Sequence, residues 1–256
     1  MANRGGVWFG TLAAGAVALT LGCGDGRSDG SATPGAGEGA PDVPPAAVDK
    51  EQAMVRLINL VPEGGPLTIW SGDSAAFAGI AYKDVTAYRL IAEDMFNFQI
   101  RSGGVLEGEA LAENKEVIDV GHYYTIVALP AVEAAGRNLR VLEDNPGPQS
   151  EGKARLRFIN GVPGEEDVDV LIRGREEPLF DGVDFATEAG WSEVDPVTGT
   201  MVVRPDDQKT TLATLSNVQL QPGRTYTFVL AGRPGQKYEV IKIDEQVPEH
   251  QETGAD

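Results

Sequence analysis

Sulfur chemistry is nearly absent from this chain. One cysteine, Cys23, stands among 256 residues, so no intrachain disulfide can form. Histidine occurs twice, as His122 and His250, which leaves almost no room for a His-based metal site. Positive charge is also scarce. Against 39 Asp and Glu there are 21 Lys and Arg, a formal net charge of -18. The acidity is spread along the chain with no basic patch, so a nucleic-acid backbone would be repelled rather than neutralised. No apolar run reaches the roughly 20 residues that a membrane-spanning helix needs. What the chain does have in quantity is 32 Gly and 16 Pro, the punctuation of many turns.

The N-terminus has the form of an address. In "MANRGGVWFGTLAAGAVALTLGC" a single Arg4 precedes an apolar run from Val7 to Leu21. As a helix that run is about 22 Å long, against a hydrocarbon core of about 30 Å, which suits a signal peptide better than a stable span. It ends in Thr20-Leu21-Gly22-Cys23, which resembles a bacterial lipobox. The resemblance implies cleavage after Gly22, acylation of Cys23, and a membrane anchor as the first partner, with Gly24 pointing to the outer membrane. The alternative is an ordinary secretory signal with an incidental cysteine. Residues 1–22 are thus expected to be a lipoprotein signal peptide. Residues 23–50, rich in Gly and Pro and without aromatics, are expected to be a disordered tether.

Beyond the tether the chain repeats itself. Arg56-Leu57-Ile58-Asn59 matches Arg157-Phe158-Ile159-Asn160, Phe77 and Gly79 match Phe180 and Gly182, Tyr82 and Tyr88 match Phe185 and Trp191, and Gly121, Tyr124 and Thr125 match Gly223, Tyr226 and Thr227. Each copy alternates apolar and polar residues over short β-branched or aromatic stretches such as "TYTFVLAG", separated by Gly and Pro turn signals. The expected fold is all-β: two tandem Ig-like Greek-key β-sandwiches of about seven strands each, over 51–147 and 152–245, with a disordered acidic tail over 246–256. A helical turn is possible at 132–137. "LQPGRTY" (Leu220 to Tyr226) has the form of a tyrosine corner, in which a Tyr near a strand start turns its hydroxyl back onto the preceding backbone. "IDVGHYY" (Ile118 to Tyr124) has the same shape without the proline.

These segments, together with Ala81-Tyr82-Lys83-Asp84-Val85, Phe98 to Arg101 and Asn217 to Gly232, resemble the bacterial domain of unknown function family 4397. The resemblance extends over roughly 54–143 and 154–244. It departs from the family where Val61-Pro62 and Val162-Pro163 replace Ser-Pro, and where Thr68 stands opposite Asp169. It implies a sandwich at the cell envelope and carries no established activity.

Three constellations could carry chemistry. Gly72-Asp73-Ser74 with Asp119-Val120-Gly121-His122 imitates a serine esterase, with Ser74 as nucleophile and His122 as base. The counterpart of Ser74 in the second copy, the 173–177 loop, has no serine, and His122 corresponds to Arg224, a polar turn position. Glu165-Glu166-Asp167-Val168-Asp169 could offer oxygens to calcium, with Asp167 and Asp169 on one strand face, but lacks a calcium-loop spacing. The aromatic set Trp70, Tyr82, Tyr88, Tyr123 and Trp191 could stack on a glycan. The pairing of Tyr82 and Tyr88 with Phe185 and Trp191 instead suggests internal packing. The expectation is therefore non-catalytic, with no cofactor and no metal: an interaction module for a protein or a glycan, or a passive structural part. The repeated phrase "VRLINLVP" and "LRFINGVP" places Val55, Leu57 and Asn59, and again Leu156, Phe158 and Asn160, on one strand face. Each Asn stands just before a Pro-containing turn that it can shape. The phrase thus marks a duplicated scaffold. A site, if present, is expected where the copies differ, in Ser71–Ala76 and Gly164–Asp167.

Overall fold

A computed structural model describes residues 52–130, 137–205 and 210–246. The expected signal peptide and tether, with Cys23, and the chain beyond Gln246 lie outside the described residues. So do residues 131–136, where the sequence allows a helical turn.

The first copy contains β1 (Gln52–Asn59), β2 (Leu67–Ser71), β3 (Ser74–Ile80), β4 (Arg89–Ala92), β5 (Phe98–Arg101), β6 (Ala110–Glu113), β7 (Tyr123–Pro130) and β8 (Arg137–Glu143). The second contains β9 (Ala154–Asn160), β10 (Val168–Ile172), β11 (Phe180–Val183), β12 (Glu188–Val194), β13 (Val197–Pro205), β14 (Ala213–Leu220), β15 (Thr225–Ala231) and β16 (Glu239–Glu245). Each copy therefore has one strand more than its turn signals suggest. Helical structure among the described residues is confined to 3-10 turns at Glu93–Met95 and Ser102–Gly104.

Each copy pairs its strands in one and the same order. Sheets β4-β1-β7-β8 and β3-β2-β5-β6 make the first sandwich, and β12-β9-β15-β16 and β11-β10-β13-β14 make the second. The all-β, two-sandwich expectation holds. The sequence did not reveal that the first and seventh strands of each copy run parallel: Leu57 lies beside Ile126, and Phe158 beside Phe228.

Burial explains that pairing. Parallel ladders are found mainly where both sheet faces are covered, and β1, β7, β9 and β15 are buried along nearly their whole length. One face of β1 and β7, with Val55, Leu57, Tyr124, Ile126 and Ala128, enters the core of the first sandwich. The same face of β9 and β15, with Leu156, Phe158, Tyr226, Phe228 and Leu230, enters the core of the second. The opposite faces supply Ile58, Leu60, Val127, Leu129, Ile159, Val229 and Ala231 to a third cluster that joins the two sandwiches. The described residues thus form four sheets, of which the two inner ones pack face to face.

The turn chemistry read from the sequence is present. Asn59 Oδ1 accepts from Val61 N at 2.9 Å while Nδ2 donates to Ile80 O at 2.9 Å. Asn160 Oδ1 accepts from Val162 N at 3.1 Å while Nδ2 donates to Val183 O at 3.0 Å. Both tyrosine corners form. Tyr226 Oη accepts from Gln221 N at 3.1 Å, and Tyr124 Oη from Asp119 N at 3.0 Å, each across a turn whose glycine (Gly223 or Gly121) has a left-handed φ. Replacing Tyr226 by Phe should remove one such hydrogen bond and lower stability by about 1 kcal/mol. A urea midpoint unchanged in Tyr226→Phe would deny the corner any energetic part.

Candidate functional site

The face of β1 that turns away from its own core carries Arg56, and that of β9 carries Arg157. A charged side chain in such a position has to find partners, because an unpaired buried charge costs several kcal/mol. Arg56 Nε donates to Thr125 Oγ1 at 2.7 Å, in its own copy, and Nη2 to Glu245 Oε1 at 2.6 Å, in the other copy. Arg157 repeats the arrangement. Its Nε donates to Thr227 Oγ1 at 2.9 Å in its own copy, and its Nη2 donates to Asp144 Oδ1 across the interface. Each threonine passes a hydrogen bond on to the acid of its own copy: Thr125 to Asp144 Oδ2 at 2.6 Å, and Thr227 to Glu245 Oε1 at 2.5 Å.

These contacts close a ring of Arg56, Glu245, Thr227, Arg157, Asp144 and Thr125. Two cations face two anions, all with side chains at most 5% exposed. The two-fold relation of the copies is built into it, since each arginine takes its closest carboxylate from the other sandwich, with Glu188 of the same copy also 3.4 Å from Arg157. An aromatic ring lies against each guanidinium. Tyr88 is 4.7 Å from Arg56, and Trp191 is 4.5 Å from Arg157, both within cation–π range. Tyr88 and Trp191 therefore pack on the arginines rather than in a sandwich core, while Phe185 packs against the cluster between the sandwiches. Tyr123 meets Tyr88 edge to face at 5.4 Å.

The electrostatics reflect this geometry. Burial opposes ionisation of Asp144, but Arg157, Arg56 and the hydroxyls of Thr125 and Tyr88 outweigh it and hold the carboxyl below its ordinary value. Burial also opposes the charge on Arg157 and is outweighed, by Asp144 first and then Glu245, so that its pKa is raised. Burial pushes the Tyr88 hydroxyl well up, and the Asp144 charge pushes in the same direction. Tyr88 Oη donates to Asp144 Oδ2 at 2.8 Å. Its counterpart Trp191 has no hydroxyl, and Glu245 Oε2 has no hydrogen-bond partner among the described residues.

Apolar contacts and rim ion pairs complete the joint. A Cβ on Gly161 would come within 2.4 Å of Leu60 Cδ1, so Leu60 fits because its own counterpart has no side chain. Lys83 pairs with Glu239 at 2.7 Å, and Arg233 with Glu63 at 2.9 Å, both between copies. The connection from Asp144 to β9 is gripped by Arg155, which donates to the carbonyls of Pro146, Gly147 and Pro148 and to Glu193 Oε1.

The residues singled out by sequence stand elsewhere. Ser74 opens β3 in an outer sheet, facing Ser71 across the Gly72-Asp73 turn. His122 precedes β7 of the inner sheet, with Nδ1 2.7 Å from Glu143 Oε1. The acidic loop engages protein donors. Glu165 accepts from Tyr238 Oη at 2.6 Å, Glu166 from Phe185 N at 2.9 Å, and Asp169 from Gly182 N at 3.3 Å. Asp167 has a left-handed φ of 48° ahead of β10, so it does not continue the strand face of Asp169 as the alternation suggested. No group of three or more His, Cys, Asp or Glu among the described residues is placed to hold a metal ion. Where the second copy has a longer β10–β11 connection, a groove of about 600 Å³ opens between Arg175–Leu179 and Ser192–Asp195. Three of its wall charges are paired, Lys153 with Asp195 at 2.8 Å and Glu193 with Arg155 at 2.5 Å.

Fold and site together define a fused pair of β-sandwiches locked through buried charge. Residues 53–171 match the model of the family described as "Domain of unknown function (DUF4397)". The match runs through the first sandwich and into β10 of the second. No curated protein matches the chain. Among solved structures, the C-terminal domain of AlgF from P. aeruginosa aligns at a TM-score of 0.31 and 18% identity, over 37% of this chain and 100% of that one. That likeness is too slight to bear on function.

The ring was half visible in the sequence. Arg, Thr and the Tyr/Trp pair all recur at the repeat offset, and an Arg flanked by buried apolar residues in a strand signals a partner. The partners themselves, Asp144 and Glu245, lie at strand ends of the opposite copies, where no local pattern ties them to the arginines. Truncating Asp144 to Ala removes the closest carboxylate of the buried Arg157 and should cost about 3–5 kcal/mol by urea unfolding at neutral pH; a loss below about 1 kcal/mol would contradict the ring. Because the carboxyl is depressed in the folded state, its contribution is full above the unfolded carboxylate range and fades as pH falls through the folded value. Asp144→Asn should accordingly flatten the acid limb of stability against pH.

Proposed function

We propose that this is a lipid-anchored envelope protein, held through Cys23 and its Gly/Pro-rich tether, whose two sandwiches act as one rigid, non-catalytic module for binding or surface assembly. The observation that supports this reading is the closed charge ring. It commits the chain's recurring arginines, acids and aromatics to holding two copies in one fixed relation. Rigid presentation of the remaining faces and loops is what such a joint supplies. Ser74 opening β3 of an outer sheet, and His122 preceding β7 with its Nδ1 beside Glu143, support the non-catalytic reading. The lipobox-like Thr20 to Cys23 supports the anchor.

Two measurements on the full chain test the two halves of the proposal. Metabolic labelling with a palmitate analogue should mark the wild-type protein and vanish in Cys23→Ala; label retained in that variant would remove the anchor. Generic aryl esters should be hydrolysed no faster by wild type than by Ser74→Ala. Turnover that disappears with Ser74 would replace the module by an enzyme.

A further inference from the structure

The outer sheets of the two copies carry different chemistry at matched positions. In the second copy, Asp169 on β10 and Arg204 on β13 are direct register partners and pair at 3.6 Å. Two residues further along the same face, Leu171 stands beside Val202. That face closes on itself, as an ion pair and an aliphatic pair.

The first copy keeps the arginine and changes what surrounds it. Ile69, Phe98 and Ile100 enter the core, so alternation turns Thr68, Trp70, Gln99 and Arg101 to the outer face. Trp70 stands beside Gln99 in the β2–β5 ladder, where the second copy has Leu171 beside Val202. Thr68 takes the place of Asp169. Ala78, between Phe77 and Gly79, takes the place of Asp181, between Phe180 and Gly182. In a chain of net charge -18, this sheet lacks an acid at two positions where its counterpart has one.

The consequences fall on Arg101 and Trp70. Arg101 Nη1 donates to Leu106 O at 2.6 Å, and among the described residues the guanidinium pairs with no carboxylate. Trp70 is half-buried, belongs to none of the three apolar clusters, and has no hydrogen-bond partner for Nε1 among the described residues. Neither core packing nor a hydrogen bond accounts for a tryptophan there. Its register partner on β3 is Ala75, which with Ala78 and Gly79 is small and exposed, so β3 raises no large side chain against the indole. Glu113 on β6 lies across Gln99 from Trp70.

Trp70 and Arg101 are diagonal neighbours across the ladder, about 7–8 Å apart, which suits a sugar ring bearing an acid group. The negative face of an indole attracts the polarised C–H bonds on the face of a pyranose. A guanidinium takes a planar carboxylate through paired donors. Gln99, adjacent to both, offers its amide to a hydroxyl. We propose that this face of the first sandwich binds an acidic saccharide of hexuronate units, with one sugar ring on Trp70 and its carboxylate on Arg101. The proposal rests on the reading of the protein as a binding module.

Isothermal titration of the full chain with hexagalacturonate tests it, beside the methyl ester of that oligomer and the neutral cellohexaose. Hexagalacturonate should bind about tenfold or more tightly than either. Trp70→Ala and Arg101→Gln should each weaken it by about tenfold or more. Thr68→Asp recreates the ion pair of the second copy and should abolish binding at an unchanged urea midpoint, which separates loss of the site from loss of the fold. Arg204→Gln, the matched change in the second copy, should leave affinity unaltered. No binding of hexagalacturonate, equal binding of its methyl ester, affinity unmoved by Thr68→Asp, or an equal loss in Arg204→Gln would each overturn the inference. None of these results alters the palmitate labelling or the Ser74 comparison, which decide the wider reading separately.

Discussion

Two arginines on the wrong side of two strands set the terms for this molecule. Arg56 and Arg157 occur in β1 and β9 where alternation forbids them the sandwich core and the packing of the inner sheets denies them water. A buried guanidinium is tolerated only when its donors and its charge are both satisfied. The solution is reciprocal: each copy supplies the hydroxyl for its own arginine and the carboxylate for the other's. Each arginine takes its closest carboxylate from the other half, so the interface is part of the fold of each half.

Other features of the molecule answer to that requirement. The inner sheets are buried on both faces, which accommodates the parallel pairing of first and seventh strands. The interface cluster around Ile58, Val127, Ile159 and Val229 excludes water from the ring, and exclusion of water strengthens the ion pairs inside it. The connection between copies is gripped by Arg155, so relative motion of the sandwiches is opposed at the joint, along the rim and in the linker. The copies have also diverged at matched positions: Tyr88 supplies a hydroxyl to Asp144 where Trp191 leaves Glu245 Oε2 without one, and Leu60 fills the space left by Gly161. The ring's geometry is symmetric while its energetics are not.

The fold could be read from the chain to a good degree because its signals are local. Turn residues, β-branched alternation, the Asn before Val-Pro and the two tyrosine corners each involve residues a few positions apart. What escaped was non-local. The parallel pairing depends on both faces of the inner strands being covered, and that depends on the second sandwich. The repeated "VRLIN" and "LRFIN" could be read as scaffold through Val55, Leu57 and Asn59, which point inward. The intervening Arg56 and Arg157 answer to acids 189 and 13 residues away, and nothing in either strand names them. The residues that imitate an esterase are likewise read from local stretches, Ser74 at the start of β3 and His122 just before β7.

Buried, reciprocal charge makes the two sandwiches one cooperative body, and differential scanning calorimetry of the protein at neutral pH tests this most directly. The expected result is a single transition whose van't Hoff enthalpy equals its calorimetric enthalpy. Two resolved transitions, or a van't Hoff enthalpy near half the calorimetric one, would mean that the sandwiches unfold independently and that the ring does not bind them.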